Sequence, residues 1–225
     1  VEKYAENDSE KKVLRHILQY GWHNAGQRIK FECFANSNYK SREVGEAMRI
    51  LEKAMVMELS YPVTSTEIPV QPQMQRSPKL LWLDTGLVNY VADLQIELLG
   101  SKDISDAWRG KIAEHIVGQE LLSSSDMVST KRNFWVREAK NSQAEVDFIY
   151  SYKSKIIPIE VKSGDNSKLK SLHLFMEESP GNTAVRFWNN RFTKDTISLP
   201  TGKKYTLYNL PFYYAGHLDG VLDKY

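Results

Sequence analysis

Residues 144–162 read AEVDFIYSYKSKIIPIEVK, two runs rich in β-branched and aromatic residues joined through Lys153 and Ser154. Alternation with a period of two puts Val146 and Phe148 on one face of the first run and Glu145 and Asp147 on the other. In the second run Ile157, Ile159 and Val161 share one side and Glu160 and Lys162 the other. The pattern predicts an antiparallel hairpin. A symmetric turn at Lys153 and Ser154 sets Asp147 opposite Glu160 and Glu145 opposite Lys162, with Cβ atoms about 5 Å apart across each pair. A bulge or a slip of one residue would break that alignment.

Working outward, Ile112 and Ile116 with Ala113, Val117 and Leu121 predict a helix over 107–122, and NFWVRE predicts a strand over 133–138. Beyond the hairpin, Leu169, Leu172 and Phe175 predict a helix over 166–177 capped by Asn166 or Ser167. NTAVRFWN then reads as a strand, and a Tyr-rich segment leads into a short helix near 210–222. Helix, three strands, helix and strand make an α/β domain. The N-terminal part is different. Val13, Leu14, Ile17 and Leu18 form one stripe of a helix over 9–20, with Asp8 or Ser9 as its cap. Val44, Ala47, Met48, Leu51 and Met55 mark a second helix over 41–56 with Ser41 as its cap. MELSYPV and KLLWLD, separated by a Pro- and Gln-rich loop, read as the two strands of a ribbon. Helices followed by a ribbon are the pattern of a winged helix. Polar residues gather over 93–106, so the domains are expected at 1–93 and 94–225.

Composition bounds the function. The 225 residues are 41% hydrophobic and 26% charged, with mean hydropathy −0.48, which excludes a disordered or collagen-like chain. No strictly apolar run exceeds four residues, whereas a membrane span takes about 20. No apolar signal segment opens the chain, and Cys33 alone can form neither an internal disulfide nor a thiolate zinc site, so a cytoplasmic protein is expected. The five histidines show no ligand spacing. Thirty basic against 28 acidic residues leave +2, so any anion-binding surface must come from local segregation of charge. The oligomeric state is not indicated.

The carboxylates of the hairpin carry the chemistry. Asp147 and Glu160 side by side repel unless a cation lies between them, and the candidates are a divalent metal and the Lys162 ammonium. Magnesium or manganese takes one or two carboxylates and completes its shell with other oxygens, so Asp147, Glu160 and the carbonyl of Val161 form a plausible partial set. Lys162 would orient or activate water and balance charge on a pentacovalent phosphate. Glu114, with Gly110 and Gly118 four residues to either side, sits where a strand or ligand approaches its helix closely. Glu120 and Gln119 are weaker candidates. The competing reading of Asp147, Glu160 and Lys162 is a solvated strand face with cross-strand ion pairs of about 0.2–1 kcal/mol each, and that of Glu114 an ordinary exposed helix residue.

The order Glu114 in a helix, Asp147 in a strand, then Glu160-Val161-Lys162, resembles the core of the PD-(D/E)xK, or restriction-endonuclease-like, superfamily, with Val146 standing where the name has proline. Over nearly the whole chain, PKLLWLDTGLVNYV, GKIAEHIVGQEL, AEVDFIY and IPIEVKSG are similar to the C-terminal region of a bacterial and archaeal family of AAA-type ATPases. The resemblance implies a winged helix, then a nuclease-like mixed sheet flanked by helices, with Glu114, Asp147, Glu160 and Lys162 as catalytic residues. It also implies an ATPase domain in the full-length chain. No G-x-x-x-x-G-K-[ST] phosphate loop occurs here, so ATP belongs to that other half and the chain reads as a fragment. Two functions follow as expectations: metal-dependent hydrolysis of DNA phosphodiesters, or a non-catalytic module that binds DNA or protein and regulates the ATPase. The second expected helix exposes Arg42, Glu46, Arg49, Glu52 and Lys53, a mixed face. Lys131, Arg132, Arg137, Lys140, Lys153, Lys155, Lys168 and Lys170 are the denser basic population.

Overall fold

The computed structural model describes residues 1, 3–91, 106–125, 131–137, 144–162 and 168–224, with the backbone alone at 106–109. The chain forms two compact units, Val1–Ser60 with Gln75–Ile104, and Tyr61–Met74 with Ser105–Tyr225. The expected boundary at 93/94 and the expected caps Asn166 and Ser167 lie outside the described residues.

The first unit is a helical region with a small ribbon. Helix α1, Asp8–Tyr20, buries Val13, Leu14 and Ile17. Its cap is Asn7, one residue before the expected pair, because the Asn7 side chain accepts the Glu10 N–H at 2.9 Å. Helix α2, Ser41–Lys53, buries Val44, Ala47, Met48 and Leu51, and it ends before the expected residue 56, so that Met55, expected on the stripe, is left-handed (φ 54°) and exposed. Ser41 is its first helical residue rather than its cap, and Glu43 reaches back to accept the Lys40 N–H at 2.8 Å. Strands β1, Met57–Ser60, and β3, Lys79–Trp82, pair antiparallel. Trp22 stacks on Trp82 with ring centroids 3.7 Å apart. Helix α3, Thr85–Val91, follows.

The segment MELSYPV, expected as one strand, divides at Tyr61. Its end, β2 (Pro62–Val63), leaves the ribbon and pairs parallel with β4, Asn133–Val136, at one edge of the large sheet. An edge is where a proline can sit in a sheet, since it has no N–H to give a second neighbour. Asn133 Nδ2 donates to the Tyr61 carbonyl at 2.9 Å and Trp135 Nε1 to the Thr64 carbonyl at 3.1 Å, which fixes the segment there.

The second unit is a mixed seven-stranded sheet in the order β2-β4-β5-β6-β7-β9-β8, flanked by helices. Strand β5 is Glu145–Tyr152, β6 Lys155–Lys162, β7 Thr183–Trp188, β8 Thr193–Ser198 and β9 Lys204–Pro211. Strands β6, β7 and β9 run parallel to one another. Helix α4 is Asp106–Ser123, α5 is Lys170–Glu178 and α6 is Leu218–Lys224. Leu172, Phe175 and Met176 of α5 pack with Ile156, Ala184, Tyr205 and Leu207 from the sheet. The last hairpin corrects the sequence reading, which had a Tyr-rich segment and a helix beginning near Leu210. Strand β8, TKDTIS, is largely exposed at the sheet's edge, so it lacks the apolar alternation that announces a strand. Among the described residues no helix is long and apolar enough to cross a membrane.

Candidate functional site

The hairpin register begins as the sequence predicts. Lys153 (φ 45°) and Ser154 (φ 60°) form a two-residue turn with both residues left-handed, which matches the twist of the strands it joins. The ladder runs from Tyr152↔Lys155 through Tyr150↔Ile157 to Phe148↔Ile159. There it stops. Against β4, Asn133 pairs with Ile149 and Trp135 with Val146, so two steps on β4 match three on β5 and an extra residue bulges at Asp147 or Phe148. The pairings expected beyond this point, Asp147 with Glu160 and Glu145 with Lys162, do not form as ladder pairs. Instead Asp147 turns its carboxylate to the neighbouring strand, where Oδ2 accepts the Val161 N–H at 2.8 Å.

Glu160 lies on the same face as Ile156 and Pro158 and is 4% exposed. A carboxylate so buried needs compensation, and the Lys162 Nζ provides it at 2.5 Å from Glu160 Oε1. Burial pulls the Lys162 ammonium toward a lower pKa. The charges of Glu160, Asp147 and Glu114, with the Glu160 hydrogen bond, outweigh it and hold Lys162 above the ordinary lysine value. The same balance answers where the candidates lie: the helix and two strands bring all three acids within electrostatic reach of one cation. A lysine in that state carries its proton at neutral pH.

Glu114 is half-buried on α4. Gly118, one turn on, allows the close approach inferred for this face: a Cβ there would meet Phe148 Cζ at 2.9 Å and Arg132 Nη1 at 2.8 Å. The approach comes from Phe148 of β5 and from Arg132, the residue before β4. Glu120 is exposed and lies against Gly216, where a Cβ would stand 2.6 Å from its Oε2, and Gln119 is half-buried. The Val161 side chain is buried, while its N–H serves Asp147. Among the described residues no three His, Cys, Asp or Glu side chains gather as a group able to hold a metal ion. Asp147 and Glu160, with the Val161 main chain beside them, are the residues that would hold magnesium or manganese, which takes one or two carboxylates from a protein.

The basic population is partly accounted for within its own unit. Arg132 is buried at 5% exposure, Arg137 pairs with Glu178 at 2.6 Å, and Lys153 pairs with Asp223, which raises the lysine's pKa. Lys140 lies outside the described residues. On α2, Arg42 is paired with Glu46 at 2.8 Å.

Sequence reasoning missed the residues beside the pair. The parallel ladder sets Arg186 of β7 opposite Glu160 and Trp188 opposite Lys162, and the next ladder sets Asn209 of β9 opposite Arg186. The single signal in the sequence was an arginine within the apolar strand run AVRFW.

Two different family models match the chain. Residues 1–97 match a domain of unknown function (DUF8612), and residues 109–209 match another domain of unknown function (DUF4143). Glu114, Asp147, Glu160, Lys162 and Arg186 all lie within the second match. The segment Tyr61–Met74 lies within the first match but folds with the second unit. No curated protein matches the chain.

Proposed function

We propose that the second unit is a nuclease-like domain that hydrolyses DNA phosphodiesters with a divalent metal, carried in the full-length protein beside an AAA-type ATPase domain. The observation that carries the reading is the Lys162 ammonium 2.5 Å from the buried Glu160 carboxylate at the end of β6, with the Asp147 carboxylate on the Val161 N–H between them and the charge of Glu114 acting on the same ammonium. Four charged groups from one helix and two strands are a costly arrangement for a merely solvated face, since Glu160 is nearly inaccessible to water. The resemblance to PD-(D/E)xK enzymes and to the C-terminal region of AAA-type ATPases supports it further.

In this reading Asp147 and Glu160 hold magnesium or manganese, whose chemistry is to polarise the phosphoryl group and lower the pKa of water. The Val161 N–H fixes the Asp147 carboxylate in its orientation. Lys162, protonated, places positive charge where the phosphorane's equatorial oxygens gather negative charge. Glu114 tunes that ammonium electrostatically from α4. The N-terminal unit is winged-helix-like in its two helices and ribbon, and its mixed-charge second helix suits domain packing or protein contacts.

A metal-dependent plasmid nicking assay tests the proposal. Wild type is expected to nick in magnesium or manganese, and Lys162→Ala and Asp147→Asn to lose about 10²- to 10³-fold in rate, the usual cost of removing one transition-state contact. No nicking by wild type in either metal, or undiminished nicking by both variants, overturns it. One observation favours a second reading. The ammonium at 2.5 Å already neutralises Glu160, as it would in a non-catalytic module that binds DNA or regulates the ATPase. Salt-dependent DNA binding without cleavage is the result expected of that module.

A further inference from the structure

The face that carries Glu160 and Lys162 continues onto β7, where Arg186 and Trp188 stand opposite them one strand away, about 5 Å across the sheet. Arg186 lies over the Trp188 indole with its guanidinium carbon 4.0 Å from the ring centroid. Trp188 is pinned in turn by its Nε1, which donates to the Arg191 carbonyl at 3.0 Å. The arginine is thus held over the ring and half-buried. Its Nε is inaccessible to solvent and has no hydrogen-bond partner among the described residues. Two more buried polar atoms nearby are in the same condition, Asn209 Oδ1 on the strand beyond and the Tyr205 hydroxyl. Asp195, whose charge acts on Arg186, has its Oδ2 engaged by Asn209 Nδ2 at 2.7 Å and by Thr193 Oγ1 at 3.3 Å.

A guanidinium is a planar fork of five donors whose geometry matches two oxygens of one phosphate, and stacking on an indole fixes the plane without using any donor. An arginine that serves the fold alone normally uses that fork on a carboxylate or on carbonyls. Here the guanidinium is held over the ring with its Nε buried and unpartnered among the described residues, so that its Nη groups are the donors left to meet a ligand, one strand from Glu160 on the same face.

We propose that Arg186, held on Trp188, binds a phosphate of the DNA strand that lies across Glu160 and Lys162, next to the phosphodiester to be cut. The identity of the ligand rests on the nuclease reading, whereas the contact itself is read by binding and not by cleavage. The test uses the full chain and a labelled DNA duplex in calcium, with affinity measured at several salt concentrations. Arg186→Met is expected to weaken binding at least 10-fold at low salt and to reduce the slope of log affinity against log salt by about 1. Arg186→Lys, which keeps the charge and loses the fork, is expected to keep the slope and lose a few-fold in affinity. If Arg186→Met fails to fold, judged by circular dichroism, the lysine variant decides: wild-type affinity in it overturns the proposal. Wild-type affinity and slope in a folded Arg186→Met also overturn it, even where the nicking assay upholds the nuclease reading. Conversely, nicking that ignores Asp147 and Lys162 while Arg186→Met loses binding overturns the nuclease reading and leaves the phosphate contact standing. Absence of DNA binding by wild type overturns the contact.

Discussion

At the residue scale, the ion pair of Glu160 and Lys162 is a buried charge pair on which stability depends. Glu160 is 4% exposed, so removing its cation leaves a buried charge uncompensated, at a cost of about 3–5 kcal/mol. Lys162→Met is therefore expected to lower the denaturant midpoint of the second unit strongly, and Glu160→Gln in the same chain to recover most of the loss. Equilibrium unfolding of the two variants checks this; a double variant as unstable as Lys162→Met would show that the methionine itself is the fault. The pH dependence has a definite sign. Because the folded pKa of Lys162 is raised, its contribution to stability is complete below the unfolded lysine value, about 10.4, and is lost as pH climbs through the higher folded value. Between pH 6 and 9 Lys162 should contribute no slope to a stability–pH curve, which denaturation at stepped pH in wild type and Lys162→Met can read.

At the element scale, the hairpin of β5 and β6 has two parts with different determinants. The turn half is local. Two consecutive left-handed non-glycine residues, Lys153 and Ser154, are tolerated because this turn matches the strand twist. Lys153 also gains a partner in Asp223, so Ser154 is the cleaner test site. Ser154→Gly is expected to stabilise the second unit by about 0.5–1 kcal/mol, since glycine adopts a positive φ at no steric cost. A rise in the thermal midpoint of about 1–3 °C would record it. The other half is not local. The bulge at Asp147 and Phe148 arises against β4, a strand outside the hairpin, and it re-aims Asp147 at the Val161 N–H. Alternation therefore read which residues share a face but could not place the Asp147 carboxylate.

At the scale of the whole molecule, the chain passes from one unit to the other three times, and Tyr61–Met74 belongs to the unit of the large sheet although its neighbours on both sides belong to the helical region. Asn133 holds this segment through the Tyr61 carbonyl from a site only 8% exposed. Asn133→Ala is expected to cost about 0.5–1.5 kcal/mol by removing this hydrogen bond, and to free residues 62–74. Limited proteolysis should then cut within 62–74 well before the rest of the sheet; unchanged protection there would assign the anchoring to Trp135 instead.

What the sequence determined by itself was whatever a short window encodes. The stripes of α1 and α2, the span of α4 to within a residue at each end, β6 over 155–162 and the turn at Lys153 and Ser154 all follow from periodicity and backbone preference. So does the membership of Glu160 and Lys162 on one strand face. The tertiary structure alone decided what depends on neighbours distant in sequence: the defection of Pro62–Val63 to the large sheet, the polar edge strand β8, the bulge beside Asp147 and the placement of Arg186 opposite Glu160. The physical reason is that burial and strand pairing are many-body quantities. A residue's partner across a ladder is fixed by which strands the whole chain brings together, and no spacing along one strand carries that information.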